Sequence, residues 1–317
     1  MDALRIALRG VQEVVTEPEL HAVLSRGRVS AYCGYEPSGR IHVGHWITIR
    51  KLRDLQEAGG RIVVLLADLH AYLNGKGTLE QVRELAEYNR QCFEALGLDP
   101  HRTVFKLGSE FQLSREFMWD VLQLATRTTL ARARRSMAEI ARDLDNPDVA
   151  QVLYPLMQAV DIAYLKVDVA VGGTDQRKVH MIAREQLPAL GYPKPVCLHT
   201  PLLHGLDGSA KMSSSKGNFV AVDDSPEEIR RKISKAFCPA RRVEANPVIE
   251  YAEHLVIPEM GKLFIRRPAK YGGDLEIENI RQLKEMFVQG ELHPADLKSA
   301  VAEALIEILA PVREKLK

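Results

Sequence analysis

Residues 61–67, Arg61-Ile62-Val63-Val64-Leu65-Leu66-Ala67, constrain the fold more than any other stretch of the chain. The run is continuously apolar after Arg61, without the alternation of a half-exposed strand. It reads as a strand buried on both faces, which requires a parallel sheet with helices packed above and below. The flanking sequence supplies those partners. Residues 30–35 predict a first strand, and helical periodicity runs from 43 to 57 and stops at Gly59-Gly60, a C-cap signal. A helix over about 78–96 ends at Gly97, Thr103–Leu107 predicts a third strand, and Val167–Val171 a further strand running into Gly172-Gly173 before a helix over 174–187. This β-α-β-α-β alternation predicts an α/β fold with a doubly wound parallel sheet.

The remaining segments are arranged around that sheet. Residues 1 to about 29 predict two short helical patterns, split near Glu17-Pro18. Residues 114 to about 142 read as one helical stretch, interrupted at Asn146-Pro147 and followed by a helix over 148–166, so a helical insertion is expected at about 114–150. Pro193–Leu203 predicts a connection with a short strand, and 205–217 a loop of small and polar residues. Asp223-Asp224-Ser225-Pro226-Glu227-Glu228 combines acids, a cap and a proline, a strong helix start. From there to 317 the chain reads as mostly helical. The expected division is a domain over 1–221 and a C-terminal domain over 222–317.

Composition bounds the function. The 317 residues are 46% hydrophobic and 27% charged, ordinary for a globular protein with a substantial core. The formal net charge is +1, so any nucleic-acid site must be a local patch, such as the cluster Arg127, Arg132, Arg134 and Arg135. The four cysteines, Cys33, Cys92, Cys197 and Cys238, lie far apart and form neither a zinc framework nor a disulfide pattern. No metal site is expected. The N-terminus is amphipathic and carries acids, unlike a signal peptide or membrane span, so a cytoplasmic setting without membrane attachment is expected.

Four constellations carry chemistry. The stretch AYCGYEPSGRIHVGH, 31–45, reads as strand, Gly/Pro turn and helix N-terminus, where free N–H groups and the helix dipole suit phosphate. His42 and His45 flank Gly44, whose bare backbone permits a ligand to lie flat against it. Alone it is as well explained as a surface turn. The second, Lys211-Met212-Ser213-Ser214-Ser215-Lys216, is a solvated turn unless paired with the first, in which case its lysines suit a pyrophosphate. The third is Tyr154, Gln158 and Asp161, spaced i, i+4 and i+7 and so on one helix face among apolar neighbours. That stripe either faces solvent or binds a polar ligand. The fourth, Gly172-Gly173-Thr174-Asp175-Gln176, sits where a parallel strand enters a helix, the ligand-binding end of open α/β sheets or a tight turn with a capping Asp.

HVGH and KMSSSK together resemble the two ATP motifs of class I aminoacyl-tRNA synthetases, whose catalytic domain is Rossmann-like. Within that family the chain is most similar to the tyrosine-specific enzymes of archaeal and eukaryotic type, along essentially its whole length. The blocks YxGxEPSGxIHxGH at 32–45, LLADLHAYLN at 65–74, GSEFQL at 108–113, YPxMQxxDI at 154–162 and VGGTDQRKxHM at 171–181 carry the likeness. The resemblance implies that Tyr32 and Asp161 hold a tyrosine hydroxyl and that Tyr154, Gln158 and Gln176 hold its amino and carboxylate groups. His70 and Gln112 complete the pocket wall. Gly34, Glu36, His42, Gly44, His45, Asp175, Lys211, Met212, Ser213 and Ser214 are implied to line ATP, with His42, His45, Lys211 and Lys216 as the catalytic set. The usual lysine loop reads Lys-Met-Ser-Lys-Ser, and its fourth position here is Ser214, so Lys216 either substitutes or is merely solvated.

For tRNA(Tyr), the resemblance implies acceptor-stem contacts at Arg135, Arg177 and Lys178. It also implies anticodon contacts at Cys238, Pro239, Tyr271, His293 and Asp296 in the C-terminal domain, with Tyr271 stacking on a base. ATP accompanied by Mg²⁺, L-tyrosine, tRNA(Tyr) and a second copy of the chain in a homodimer are the implied partners. The competing readings are a tryptophan-specific synthetase, a non-catalytic paralogue that binds tyrosine or RNA, and a generic nucleotidyltransferase. A phenol both donates and accepts whereas an indole N–H only donates, so the Tyr32 and Asp161 pair favours tyrosine.

Overall fold

The computed structural model describes residues 2–138, 148–210, 212 and 216–317. By their contacts they form two compact units, the chain up to Gly39 with Thr48–Pro201, and Arg40–Ile47 with Leu202–Lys317. Residues 202–221, expected with the first domain, thus pack with the C-terminal part.

The first unit is built on a six-stranded sheet of order β1-β6-β5-β2-β3-β4. Its strands are β1 Glu13–Val15, β2 Ser30–Tyr35, β3 Arg61–Leu66, β4 Thr103–Leu107, β5 Val169–Gly173 and β6 Val196–Thr200. All neighbours are parallel except β1, which runs antiparallel to β6 with Glu13 opposite His199. The two short helices expected in residues 1–29 are present, and the strand β1 between them is the feature that was not expected. Only α1 Ala3–Ala7 and α2 Glu17–Leu24 are helical there. Three residues of strand held by a partner far along the chain leave no local periodicity to read.

The central strands are apolar for the reason anticipated. Ile62 and Val64 of β3 are fully buried, and helices follow between the strands: α3 Val43–Glu57, α4 Asp68–Leu73, α5 Leu79–Ala95, α6 Arg115–Arg127, α7 Leu130–Met137, α8 Val149–Tyr164 and α9 Arg177–Gln186. One core cluster joins Tyr32 and Leu65 of the sheet to Phe117 and Val121 of α6, Leu156 and Val160 of α8 and Ile182 of α9. The expected continuous helix from 114 to 142 is instead two helices. Thr128 ends α6 in extended conformation, and Thr129 caps α7 by accepting the Arg132 N–H. The interruption at Asn146-Pro147 lies outside the described residues.

The strand order reverses at β2. The chain builds outward through β3 and β4, then returns to place β5 and β6 on the other side of β2. Among the described residues β2 and β5 pair at two positions, Ala31 with Val169 and Tyr32 with Ala170. Beyond those rungs the carboxyl ends of β2 and β5 are free of mutual pairing, which is the topological switch point where open α/β sheets take ligands.

In the second unit, α10 Pro226–Ser234 starts with a full capping box, Ser225 and Glu228 bonding each other's backbone N–H groups. The helices α11 Pro247–Tyr251, α12 Ile257–Met260, α13 Ile280–Gln289 and α14 Pro294–Lys315 follow, with the antiparallel pair β7 Leu263–Ile265 and β8 Leu275–Ile277 between α12 and α13. No described helix is long and apolar enough to cross a membrane.

The Gly59-Gly60 stop after α3 makes a stability prediction. Gly59 has a φ of +99° in open space, whereas a Cβ at Gly60 would lie 2.7 Å from the Leu55 carbonyl oxygen. Gly59→Ala is expected to cost ~1 kcal/mol for the left-handed backbone, and Gly60→Ala about 1–3 kcal/mol for the steric conflict. Thermal unfolding of the two variants checks this, and equal midpoints would contradict it.

Candidate active site

The switch point in the first unit gathers the third and fourth constellations. Tyr154, Gln158 and Asp161 all face inward from α8, at 6%, 9% and 0% exposure, so the solvent-facing alternative for the stripe is excluded. Tyr32 reaches the same region from β2 and is also buried. Gly34 lies beside it, and a Cβ there would come within 3.1 Å of the Tyr32 hydroxyl. Gln158 Nε2 donates to Gln176 Oε1 at 2.9 Å, joining α8 to the turn after β5. Asp175 is buried in that turn.

Asp161 organises the hydrogen bonding. Gln112 Nε2 donates to Asp161 Oδ1 at 2.7 Å and approaches His70 Nδ1 at 3.1 Å. Its second hydrogen then makes His70 Nδ1 an acceptor and places the imidazole proton on Nε2, 3.7 Å from Asp161 Oδ2. Burial pushes the His70 imidazole down to about 4 and the Asp161 carboxyl up to about 8, the latter against the pull of the Gln112 amide. Tyr154 packs edge-on to His70, ring centroids 4.5 Å apart.

Four buried polar atoms of this group have no hydrogen-bond partner among the described residues: His70 Nε2, Gln112 Oε1, Gln158 Oε1 and Asp161 Oδ2. Buried polar atoms are normally satisfied, and a cluster left over around one carboxylate suits a small ligand carrying a hydroxyl. Burial, first, and then the neighbouring Asp161 charge hold the Tyr32 phenol protonated well above its ordinary range. A ligand hydroxyl between them could therefore accept from Tyr32 and donate to Asp161. Beside this group, Asn74 Nδ2 donates to both oxygens of Glu36 at 3.1 and 3.2 Å. Asn74 was not singled out from sequence, although it closes the block 65–74.

In the second unit, the HVGH turn is fixed by hydrogen bonds of its own backbone to its two histidine rings. The His42 N–H donates to His45 Nδ1 at 3.2 Å, and the Gly44 N–H to His42 Nδ1 at 3.1 Å. With both Nδ1 atoms accepting, the ring N–H of each neutral imidazole is on Nε2. The turn is anchored by the Val43 N–H on the Val220 carbonyl and by a bridge between His42 and Ala221. The Phe219 ring lies 4.9 Å from that of His42. A Cβ at Gly44 would meet His42 Cε1 at 2.9 Å and Met212 Sδ at 3.3 Å, so close packing demands glycine. Met212 is buried. The loop that carries it is pinned at its base, where Asp207 Oδ1 accepts from Ser209 and Asn218; these bonds hold its carboxyl down to about 2. Lys216 is exposed, and Lys211, Ser213 and Ser214 lie outside the described residues.

The RNA candidates fall in both units. Arg135 and Lys178 are exposed. Arg177 is bonded through Nε to both carboxylate oxygens of Glu13 at 2.8 Å. Tyr271 is 60% exposed with Lys270 Nζ 4.9 Å above its ring, and Cys238 and Pro239 are half-buried. His293 caps α14 by accepting the Ala295 N–H, and Asp296 sits in the first turn.

The buried carboxyl makes a pH prediction. Its folded pKa lies near 8, above the 3.8 of an ordinary aspartate, so the native state retains a proton that the unfolded chain loses. The ligand-free protein therefore loses stability from this group as pH rises from about 4 to 8. Asp161→Asn is expected to raise stability by about 1–3 kcal/mol at pH 8 and by less at pH 5. Denaturant unfolding at the two pH values checks this; a gain that is equal or larger at pH 5 would contradict it.

The model of the family "tRNA synthetases class I (W and Y)" matches residues 24–310. A tyrosine–tRNA ligase of Methanopyrus kandleri is 57% identical over 314 residues, covering 99% of this chain and 97% of that protein. The crystal structure of the tyrosyl-tRNA synthetase of Archaeoglobus fulgidus complexed with L-tyrosine has a TM-score of 0.95 at 57% identity, with 99% of each chain covered. That of Aeropyrum pernix has a TM-score of 0.90 at 40% identity, covering 99% of this chain and 93% of that one. The chain belongs to the class I tRNA synthetase family of tryptophan and tyrosine enzymes.

Proposed function

We propose that this chain activates L-tyrosine with ATP and transfers the tyrosyl group to the 3′ end of tRNA(Tyr), releasing pyrophosphate and then AMP. The observation that carries the choice of amino acid is Asp161 Oδ2, buried and unpartnered beside the Tyr32 phenol. A tyrosine hydroxyl satisfies both groups, phenylalanine neither, and an indole N–H only one. The full-length likeness to tyrosine–tRNA ligases supports the same reading over the tryptophan alternative.

Activation is attack of the tyrosine carboxylate on the α-phosphorus of ATP, with pyrophosphate as leaving group. Such a step needs positioning and charge stabilisation more than proton transfer. Gln158, Gln176 and Tyr154 hold the amino and carboxylate end, and Tyr32, His70 and Asp161 the ring. His42 and His45 donate Nε2–H groups to phosphate oxygens, Gly44 lets the nucleotide approach the backbone, and Gly34, Glu36 and Asp175 line the adenylate. Lys211, with Met212, Ser213 and Ser214, meets the pyrophosphate, Lys216 adds charge, and Mg²⁺ enters with the nucleotide. A ribose hydroxyl of the tRNA then attacks the activated carbonyl and AMP departs.

Arg135, Arg177 and Lys178 contact the acceptor stem, and residues 222–317 read the anticodon through Cys238, Pro239, Tyr271, His293 and Asp296. Exposed Trp119 and Leu122 share a face of α6, and Leu113, Leu130 and Val149 are also exposed. This apolar area supports a homodimer formed through the helical insertion.

Pyrophosphate exchange tests the function. Exchange is expected with tyrosine and not tryptophan, falling by about 10²–10³-fold in His45→Ala and in Lys211→Ala. Exchange with tryptophan, or with neither amino acid, would overturn it. For the dimer, sedimentation of Trp119→Asp is expected to show monomer where the unaltered chain shows dimer; a monomeric unaltered chain would refute that part.

A further inference from the structure

We propose that Glu13, His199 and His180 form a positioning chain that fixes Gln176, so that breaking it weakens amino-acid binding while sparing ATP. The inference rests on the reading of Gln176 as an amino-acid ligand.

The three residues come from β1, β6 and α9. Glu13 Oε2 lies 2.7 Å from His199 Nδ1, and His199 Nε2 lies 3.0 Å from His180 Nδ1. The two imidazoles are almost completely buried, and burial lowers the pKa of both, that of His180 to about 3. Both are therefore neutral, and the carboxylate sets the direction of the whole chain. Glu13 can only accept, so His199 donates from Nδ1 and accepts at Nε2, and His180 donates from Nδ1. Arg177, next in sequence to Gln176, holds the outer end by donating Nε–H to both Glu13 oxygens.

The inner end touches the site. Gln176 caps the start of α9, and His180 lies four residues further on, in the first turns of that helix. A Cβ added at Gly172 would meet Gln176 Cβ and Cγ at 2.9 Å and His180 Cε1 at 3.2 Å. The stem of Gln176 and the edge of His180 thus both border the space that the bare Gly172 leaves open, and Gln176 Oε1 accepts from Gln158. Turning the His180 ring would change the packing at Gly172, the position that the Gln176 stem also borders. An apolar trio could join β1, β6 and α9 as firmly, but it would not fix a ring orientation as a polarised hydrogen-bond chain does.

Pyrophosphate exchange by the full chain tests this, with tyrosine and ATP varied separately and thermal unfolding measured in parallel. His180→Leu is expected to raise the tyrosine KM about tenfold or more, with the ATP KM within about twofold. Glu13→Gln, at a partly exposed position, is expected to raise the tyrosine KM about threefold or more with little change in unfolding midpoint. If His180→Leu does not fold, Glu13→Gln decides. An unchanged tyrosine KM in folded Glu13→Gln, or tyrosine and ATP KM rising together, would overturn the inference alone. An unaltered chain that exchanges with no amino acid would overturn the proposed function, and this inference with it.

Discussion

A carboxylate buried with one oxygen unsatisfied is the constraint on which the first unit depends. Asp161 is fully buried on α8, and the charged form of such a group is strongly disfavoured without partners. One amide, from Gln112, answers one oxygen. The other faces a neutral His70 at a distance too long for a hydrogen bond. An apolar residue at 161 would stabilise the fold more. Under the proposed function a substrate hydroxyl completes the arrangement, and stability given up in the free protein returns as discrimination against ligands that lack the hydroxyl.

Topology explains why the carboxylate lies where a ligand can reach it. The sheet order reverses at β2, and β5 pairs with β2 over two rungs. The separating carboxyl ends carry Gly34 and Glu36 on one side and Gly172, Asp175 and Gln176 on the other. Helix α8, which immediately precedes β5, presents Tyr154, Gln158 and Asp161 to that opening while Leu156, Val160 and Ile162 join the core. Residues 40–47 follow β2 directly, yet pack with the C-terminal unit through the Val220 and Ala221 backbone. There the two histidine rings are set by N–H groups of their own turn.

What was legible in the sequence was local or periodic. The apolar run 61–67 marked a buried parallel strand because two-sided burial removes alternation. The stripe 154, 158, 161 stood out because three polar residues at helical spacing among aliphatic neighbours either face solvent or must find partners, and the structure buries all three. The strand Glu13–Val15 escaped because it is short and paired with residues about as distant as the sheet allows. The break at Thr128-Thr129 escaped because two threonines interrupt helical periodicity too briefly to register. The chain from Glu13 through His199 to His180 has no sequence pattern at all, since the fold alone brings β1, β6 and α9 together. Asn74 is an intermediate case, inside a recognised block but without a feature to separate it from a helix C-cap.

The central claim is that a buried, half-satisfied Asp161 selects a ligand hydroxyl. Equilibrium binding of L-tyrosine and L-phenylalanine to the same unmodified chain, measured by calorimetry without ATP or tRNA, addresses it directly. The account predicts a preference for tyrosine of about 10³-fold or more, since phenylalanine leaves the Asp161 and Tyr32 polar groups unpaired. Phenylalanine binding within about tenfold of tyrosine would contradict it.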